Sequence, residues 1–300
     1  MRQPVPSEKR LAMTLYYLAH RGLFAQLALM YSVGKSTAQA VVHSTVSAFR
    51  QHLVSESIRF PQGEELRQVV KDFECLAGLP QCAGADDGTF MRITKPRVFG
   101  DTYWCYKQHV AILLLAVVDA RGIFTDVNTG GTGSVGDAAA YNTSRLARNV
   151  QSRKWLGDSG KIINGKLVHP FLVGDSAFAL STTMMKCYGE NDQAPHHNTF
   201  NWCLIRTRRV VEQAFGHLKG RFHVLTKNNL FDPSFAAEVA IVCCTLHNVC
   251  ERWSCTFEDS WLVDPQRYDD YHQGPNAVVH NQVNDSGVAL RDHLATFLHT

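Results

Sequence analysis

Apolar positions recur at helical spacing over the first fifty residues. Leu11, Leu15 and Leu18, behind Ser7 and Glu8, share one face at 3.6 residues per turn, which predicts a capped amphipathic helix ending near Gly22. An apolar segment from Phe24 to Tyr31 and a short break at Ser32-Val33-Gly34-Lys35 lead to a second helix, capped by Ser36, with Val42, Val46 and Phe49 on one side. The pair reads as a helix-turn-helix. The polar start of its second helix, Lys35, Ser36, Thr37 and Gln39, is where a recognition helix meets base edges and phosphates. A plain helical hairpin without DNA contact fits the same letters.

Beyond a linker at Pro61-Gln62-Gly63 the pattern predicts an amphipathic helix through about residue 77 and then strands near Cys82 to Thr94, Val110 to Asp119, Gly122 to Asn128 and Pro170 to Gly174. Helical texture follows at Ala138 to Asn149, Thr182 to Tyr188, Thr207 to Phe222 and Phe235 to Arg252, the last opened by Asp232-Pro233. From about residue 264 the chain turns polar and acidic, an expected exposed tail with a closing helix near Val288 to Leu298. The expected domains are a helical helix-turn-helix region at 1–60, an α/β body at 61–255 and an acidic tail at 256–300.

With 300 residues and 45% hydrophobic content the chain can build a real core, which excludes disorder, collagen and coiled coil. The longest uninterrupted apolar runs, Val110 to Val118 and Val239 to Cys244, fall short of the about 20 residues a helical span needs, so a soluble protein is expected. Nine cysteines at irregular spacing, behind a start without an apolar signal core, suggest free thiols in a reducing compartment. The formal charge of +3 divides unevenly: residues 1–250 hold 27 Lys+Arg against 19 Asp+Glu, and residues 251–300 hold 3 against 8. A body at +8 before a tail at −5 suggests a polyanionic partner for the body.

Three acidic residues stand at element ends or edges. Asp87 interrupts an apolar strand in Ala85-Asp86-Asp87-Gly88-Thr89-Phe90, where an ordinary Asp-Gly turn is the competing reading. Asp175 follows the apolar run Phe171-Leu172-Val173-Gly174, which puts a carboxylate at the carboxyl end of a buried strand, where open α/β sheets hold ligands; a helix cap is the alternative. Glu212 borders the apolar stripe of Val211, Ala214, Phe215, Leu218 and Phe222, flanked on the helical wheel by Arg208 and Lys219; taken alone, a surface ion pair with Arg208 is the favoured reading. Together the three carboxylates form a set that two Mg²⁺ ions about 4 Å apart would offset, clamping the attacking and the leaving oxygen of a phosphodiester, with Arg208 and Lys219 placed to hold phosphate.

These residues resemble the DDE endonucleases of the PIF/Harbinger transposase group and the nucleases derived from them. The matching pieces are Asp87-Gly88-Thr89, Tyr106-Lys107, the strand ending Ala116-Val117-Val118-Asp119, and Gly133-Ser134-Val135-Gly136-Asp137. They continue with Gly174-Asp175-Ser176-Ala177-Phe178, Asn201, Arg208 and Val210-Val211-Glu212-Gln213-Ala214-Phe215-Gly216, Leu218-Lys219 and Leu246-His247-Asn248, in consistent order from about residue 7 to 255. The resemblance implies an RNase H-like mixed sheet flanked by helices, with Asp87, Asp175 and Glu212 as catalytic metal ligands. It further implies Mg²⁺, with Mn²⁺ as substitute, DNA as substrate, nuclear action and a Myb-like DNA-binding helper protein, and it leaves room for an oligomer. The chain departs from the family pattern at Gly136, Ala179 and Trp202, none of them an expected ligand.

Competing assignments remain on the sequence alone. Asp86 can replace Asp87, Asp158 sits in a polar loop, and Asp137 reads as a helix cap that could also line the metal pocket. The string Gly131-Thr132-Gly133-Ser134-Val135-Gly136 spells a dinucleotide motif, but the polar Asp126, Asn128 and Thr129 before it do not make a buried first strand. Cys243, Cys244, His247, Cys250 and Cys255 invite zinc, yet buried thiols on an apolar helix explain them, and His196-His197 adds nothing. The expected function is two-metal-ion DNA cleavage, with strand transfer by the freed 3′-hydroxyl as its extension. Arg209, Arg221 and the other cations of segment 201–227, six against Glu212 alone, would hold phosphates. A retained DNA-binding protein without cleavage activity is the alternative, and a dinucleotide oxidoreductase a distant one. The acidic tail would screen the basic groove.

Overall fold

The computed structural model describes residues 4–20, 23–189, 191–192, 194–226, 231–262 and 284–299. Helices α1 (Ser7–His20), α2 (Phe24–Met30), α3 (Lys35–His52), the single turn α4 (Val54–Ser57) and α5 (Glu64–Ala77) precede the sheet. Strands β1 (Cys82–Arg92), β2 (Ala111–Val118) and β3 (Phe124–Thr132) follow, then helices α6 (Asp137–Thr143) and α7 (Arg145–Gln151). A hairpin of β4 (Lys161–Ile163) and β5 (Lys166–Val168) leads to β6 (Phe171–Val173) and β7 (Met184–Met185). The long helices α8 (Pro195–Arg221) and α9 (Pro233–Arg252) and the closing α10 (Asp285–His299) complete the described order.

The main sheet runs β3-β2-β1-β6-β7, with β1–β2 and β2–β3 antiparallel and β6 and β7 parallel to β1. Helices cover both faces: α8 and α9 lie over the side that carries Ala85, Met91, Leu114 and Val118, while α6 and α7 cover the side of Phe90, Leu113 and Val117. The mixed α/β expectation is therefore met by a five-stranded sheet between helices. The apolar stripe of α8 also packs as its periodicity requires, with Val211, Ala214, Phe215, Leu218 and Phe222 all buried.

Local chemistry explains where boundaries depart from the pattern. The helix expected over Ala138 to Asn149 breaks at Ser144, whose extended backbone ends α6 and whose hydroxyl accepts from Ala147 N–H at 2.9 Å to cap α7. The helix expected over Thr182 to Tyr188 is instead the short strand β7, preceded by a turn in which the Ser181 hydroxyl accepts from Thr183 and Met184 N–H. Helix α8 starts at Pro195 rather than near Thr207, with proline at its first position. Asp232 caps α9 as expected, accepting from Ser234 and Phe235 N–H at 3.0 and 3.1 Å. Gly34, not Ser36, is the N-cap of α3, so Ser36 lies within its first turn. In α1 the buried face is Met13, Thr14, Tyr17 and Leu18, while Leu11 and Leu15 stay exposed.

The N-terminal helices belong to the main core. Met13, Leu18, Leu27 and Val42 are fully buried in the cluster that includes β1 and α9, and the His43 ring stacks on Phe235 at 3.7 Å. Asn248 ties three elements together: its amide donates to Ser57 and Phe124 carbonyls at 3.1 and 2.8 Å, and its oxygen accepts from Phe124 N–H at 2.8 Å. Helix α9 is long and apolar enough to cross a membrane, but it buries Phe235, Val239, Cys243 and His247 as the core helix behind the sheet. At the other end of the chain α10 docks on α8 through buried Leu290, Leu294 and Ala295, and Asp292 accepts from the Tyr188 hydroxyl at 2.6 Å. The closing helix expected near Val288 to Leu298 is thus present as α10 and packs on the body. The expected helix end at Gly22, Lys227 and the acidic stretch that begins near Asp264 lie outside the described residues.

Candidate active site

The sheet register brings two of the expected carboxylates together. Ala85 of β1 pairs with Val173 of the parallel β6, so two residues further Asp87 and Asp175 come side by side past the end of the shorter strand. Asp175 turns into the site by accepting from Ala177 N–H at 2.9 Å, and Asp87 accepts from Gly88 N–H at 2.9 Å. The third carboxylate is Asp137 on the first turn of α6. Gly136 is the N-cap of that helix, which frees the Asp137 side chain from capping.

Oxygens of Asp87, Asp137 and Asp175 lie within 4.8 Å of one another, a group found once among the described residues. Gly88 makes this approach possible: a Cβ there would lie 2.2 Å from Asp137 Oδ1 and 2.6 Å from its Cγ. Burial drives the Asp87 carboxyl up to about 7, opposed by Arg208 and reinforced by Asp137 and Asp175. Burial and Asp175 raise Asp137 to about 6, and Lys107 opposes that rise. The repulsion marks a place for positive charge. Mg²⁺ at 2.0–2.1 Å from each ligand needs oxygens within about 4.2 Å, so small side-chain rotations bring this set into range.

Asp86 is not part of this group. Strand alternation turns it to the opposite face, where it is fully buried, both its oxygens lack hydrogen-bond partners among the described residues, and burial holds its pKa well above the usual carboxylate range. Glu212 stands at the rim: its side chain is 42% exposed and pairs with Arg208 at 3.6 Å, and the same guanidinium nitrogen is 3.6 Å from Asp87 Oδ2. Arg208 is thus a bridge between the two acids, while Glu212 lies outside the three-carboxylate group.

The expected phosphate-holding residues divide by direction. Arg209, Lys35, Ser36 and Gln39 are exposed and Thr37 is half-buried. Lys219, expected to hold phosphate, is 3% exposed and turns inward to donate to Thr89 Oγ1 at 2.7 Å. Arg221 is likewise engaged below the surface, paired with Glu251 at 2.5 Å and set against His247 Nδ1 at 3.0 Å. Helical periodicity located both cations but could not show that the sheet and α9 offered them partners.

The rival motifs dissolve in the fold. Gly131 and Thr132 end β3, an edge strand antiparallel to β2, so no parallel strand–helix–strand unit presents the glycines to a dinucleotide. All nine cysteines are free; Cys243 and Cys244 are buried in the core, and His247 Nε2 meets the Gly122 carbonyl at 3.1 Å. Burial and Arg221 lower that histidine to about 4, so it is neutral. Asp158 lies in the bend before β4.

The family model described as DDE superfamily endonuclease matches residues 87–248, from Asp87 to Asn248. The chain is 25% identical over 245 residues to the Arabidopsis thaliana protein named Antagonist of Like Heterochromatin Protein 1, covering 81% of this chain and 62% of the relative. It is 27% identical over 256 residues to the Homo sapiens protein named "Putative nuclease HARBI1", covering 82% and 70%. With the Arabidopsis thaliana ALP1-like protein it shares 23% over 298 residues, covering 97% and 71%. The chain therefore spans less than two thirds of the first relative and somewhat more of the other two. No solved structure matches it.

Proposed function

Because the chain belongs to the DDE superfamily endonucleases, of Harbinger transposase-derived type, we propose that it cleaves phosphodiester bonds of DNA at the Asp87, Asp137 and Asp175 cluster with divalent metal ions. The observation that carries the proposal is the convergence of three carboxylates, from a central strand, the end of its parallel neighbour and a helix N-terminus, inside the matched span. Bound Mg²⁺ or Mn²⁺ would supply an activated water and stabilise the leaving oxygen. Asp87 and Asp175 would hold the ions, joined by Asp137. Glu212 would keep Arg208 facing Asp87, or complete the set itself once that guanidinium turns to phosphate. The attack breaks the P–O3′ bond, leaving a 5′-phosphate and a 3′-hydroxyl that can join a second DNA. The strand order, three antiparallel strands beside two parallel ones, supports the RNase H-like reading.

Arg209 on α8 and Lys35, Ser36, Thr37 and Gln39 at the start of α3 would contact the DNA backbone, the latter as a helix-turn-helix. Action in the nucleus and a separate DNA-binding helper are parts of the same reading. The experiment is nicking of supercoiled plasmid and of DNA carrying candidate terminal repeats, with Mg²⁺ or Mn²⁺. Cleavage abolished by Asp87→Ala and by Asp175→Ala supports the reading, and Asp137→Asn compared with Glu212→Gln decides which acid completes the metal set. Binding of those DNAs without any cutting, with helper present, would overturn it in favour of a DNA-binding protein.

A further inference from the structure

The connection from β1 to β2 folds back into a small finger beside the carboxylates. Trp104 and Val110 form an antiparallel bridge, Cys105 N–H donates to the His109 carbonyl at 2.9 Å, and Gln108 N–H donates to the Cys105 carbonyl at 3.0 Å. The result is a three-residue loop, Tyr106-Lys107-Gln108. Gln108 occupies the left-handed position at φ 60°, a place that such loops normally give to glycine. Backbone strain at an exposed tip points to a loop shaped for contact.

Two anchors fix the finger to the site. Buried Cys105 plugs its base into the core, and Ser134 N–H donates to the Thr102 carbonyl at 3.2 Å. A Cβ at Gly133 would meet the Tyr103 carbonyl oxygen at 2.3 Å, so the loop rests directly on the segment that delivers Asp137. The Tyr106 ring stands edge-on to Phe90, with centroids 5.5 Å apart at 78°. Phe90 lies two residues beyond Gly88 on the same face of β1, and Gly88 is the seat of Asp137. Two strand residues span about 7 Å, roughly two steps of a DNA strand.

The tip presents an aromatic face and a cation together. Tyr106 and Trp104 keep 48% and 51% exposure, and Lys107 Nζ lies 5.5 Å from the centre of the Tyr106 ring. Ammonium and exposed ring at this spacing complement a phosphate and a base of one strand. Inside a duplex both faces of each base are covered by neighbours, so only a frayed or unpaired nucleotide offers a face to Tyr106.

We propose that the 104–110 finger grips an unpaired nucleotide next to the scissile phosphate, with Tyr106 stacked on its base and Lys107 on its phosphate. This rests on the DNA-cleaving reading above, but its test needs no cleavage. Fluorescence anisotropy of the full chain, with Ca²⁺ in place of Mg²⁺, compares a fully paired duplex with one carrying a short unpaired stretch. Wild type is expected to prefer the unpaired probe, Tyr106→Ala to lose about tenfold on that probe alone, Tyr106→Phe to retain the preference, and Lys107→Ala to weaken both probes equally. Tyr106→Ala binding both probes like wild type overturns the finger while leaving the nuclease reading intact if wild type still cuts. The expected pattern in a protein that never cuts sustains the finger and overturns the nuclease reading. No binding of either DNA overturns both.

Discussion

Gly88→Ala tests the carboxylate cluster through a single methyl group. The new Cβ would sit 2.2 Å from Asp137 Oδ1, 2.6 Å from Cγ and 2.9 Å from Oδ2. Carbon–oxygen contacts settle near 3.3–3.6 Å, so the Asp137 carboxylate must retreat by about 1 Å or more. Gly88 itself sits in regular strand pairing opposite Leu115, which gives alanine no backbone conflict. The strand therefore keeps its place, at a packing cost of about 1–3 kcal/mol, and the displacement falls on the short helix α6. A misplacement of that size at a reacting centre lowers the rate by about 10²-fold. The assay is Mn²⁺-dependent plasmid nicking beside calorimetric Mn²⁺ binding, with circular dichroism to establish folding. Folded Gly88→Ala protein that binds Mn²⁺ and cuts at the wild-type rate would refute the role of Asp137, because a site of Asp87, Asp175 and Glu212 is indifferent to where α6 points its first carboxylate.

Three further outcomes follow from the same contacts. Asp87 and Asp137 are raised to about 7 and about 6, so without metal their contribution to stability is full below about pH 4 and is lost as pH rises through 6 and 7; for Asp87 alone the ceiling is about 4 kcal/mol. The urea midpoint in EDTA should fall across that window and recover with Mg²⁺, and a midpoint indifferent to both would contradict the buried cluster. Asn248→Ala removes three buried hydrogen bonds linking α9 to β3 and α4, which should cost about 3 kcal/mol or more in urea unfolding, whereas a loss within error would place the strength of that junction elsewhere. Leu294→Ala, at a fully buried position of α10, should cost about 2–4 kcal/mol, and no measurable change would mean that α10 does not stay docked on α8.

Two of the three clustered carboxylates were legible before the fold, and the gaps have physical reasons. Asp87 and Asp175 announce themselves because a carboxylate inside or just after a fully apolar run is costly without a purpose. Asp137 does not, since an acid at the start of Ala138-Ala139-Ala140 has an ordinary use at a helix terminus. Its place in the cluster appears only through Gly88, whose missing side chain leaves the space it fills. Glu212 shows the reverse: its wheel position beside Arg208 was correct, but helical angle says nothing about how far the helix stands from the strand. The hairpin of β4 and β5 was missed although Ile163-Asn164-Gly165-Lys166 carries the Asn-Gly turn signal, with φ of 41° and 77° at its two centres. Three-residue strands hold too few alternating positions for periodicity to register.

The amino-acid sequence by itself determined the helices and strands up to β3, the strand β6, the buried stripe of α8 and the positions of Asp87 and Asp175 in or just after apolar strands, because these follow from local spacing at periods of 3.6 and 2. Tertiary structure alone decided which acids meet. The parallel register of β1 with β6 set Asp87 beside Asp175, the gap over Gly88 admitted Asp137, and the sheet turned Lys219 inward to Thr89. Such outcomes depend on distances between elements remote in the chain, and no local pattern encodes those distances.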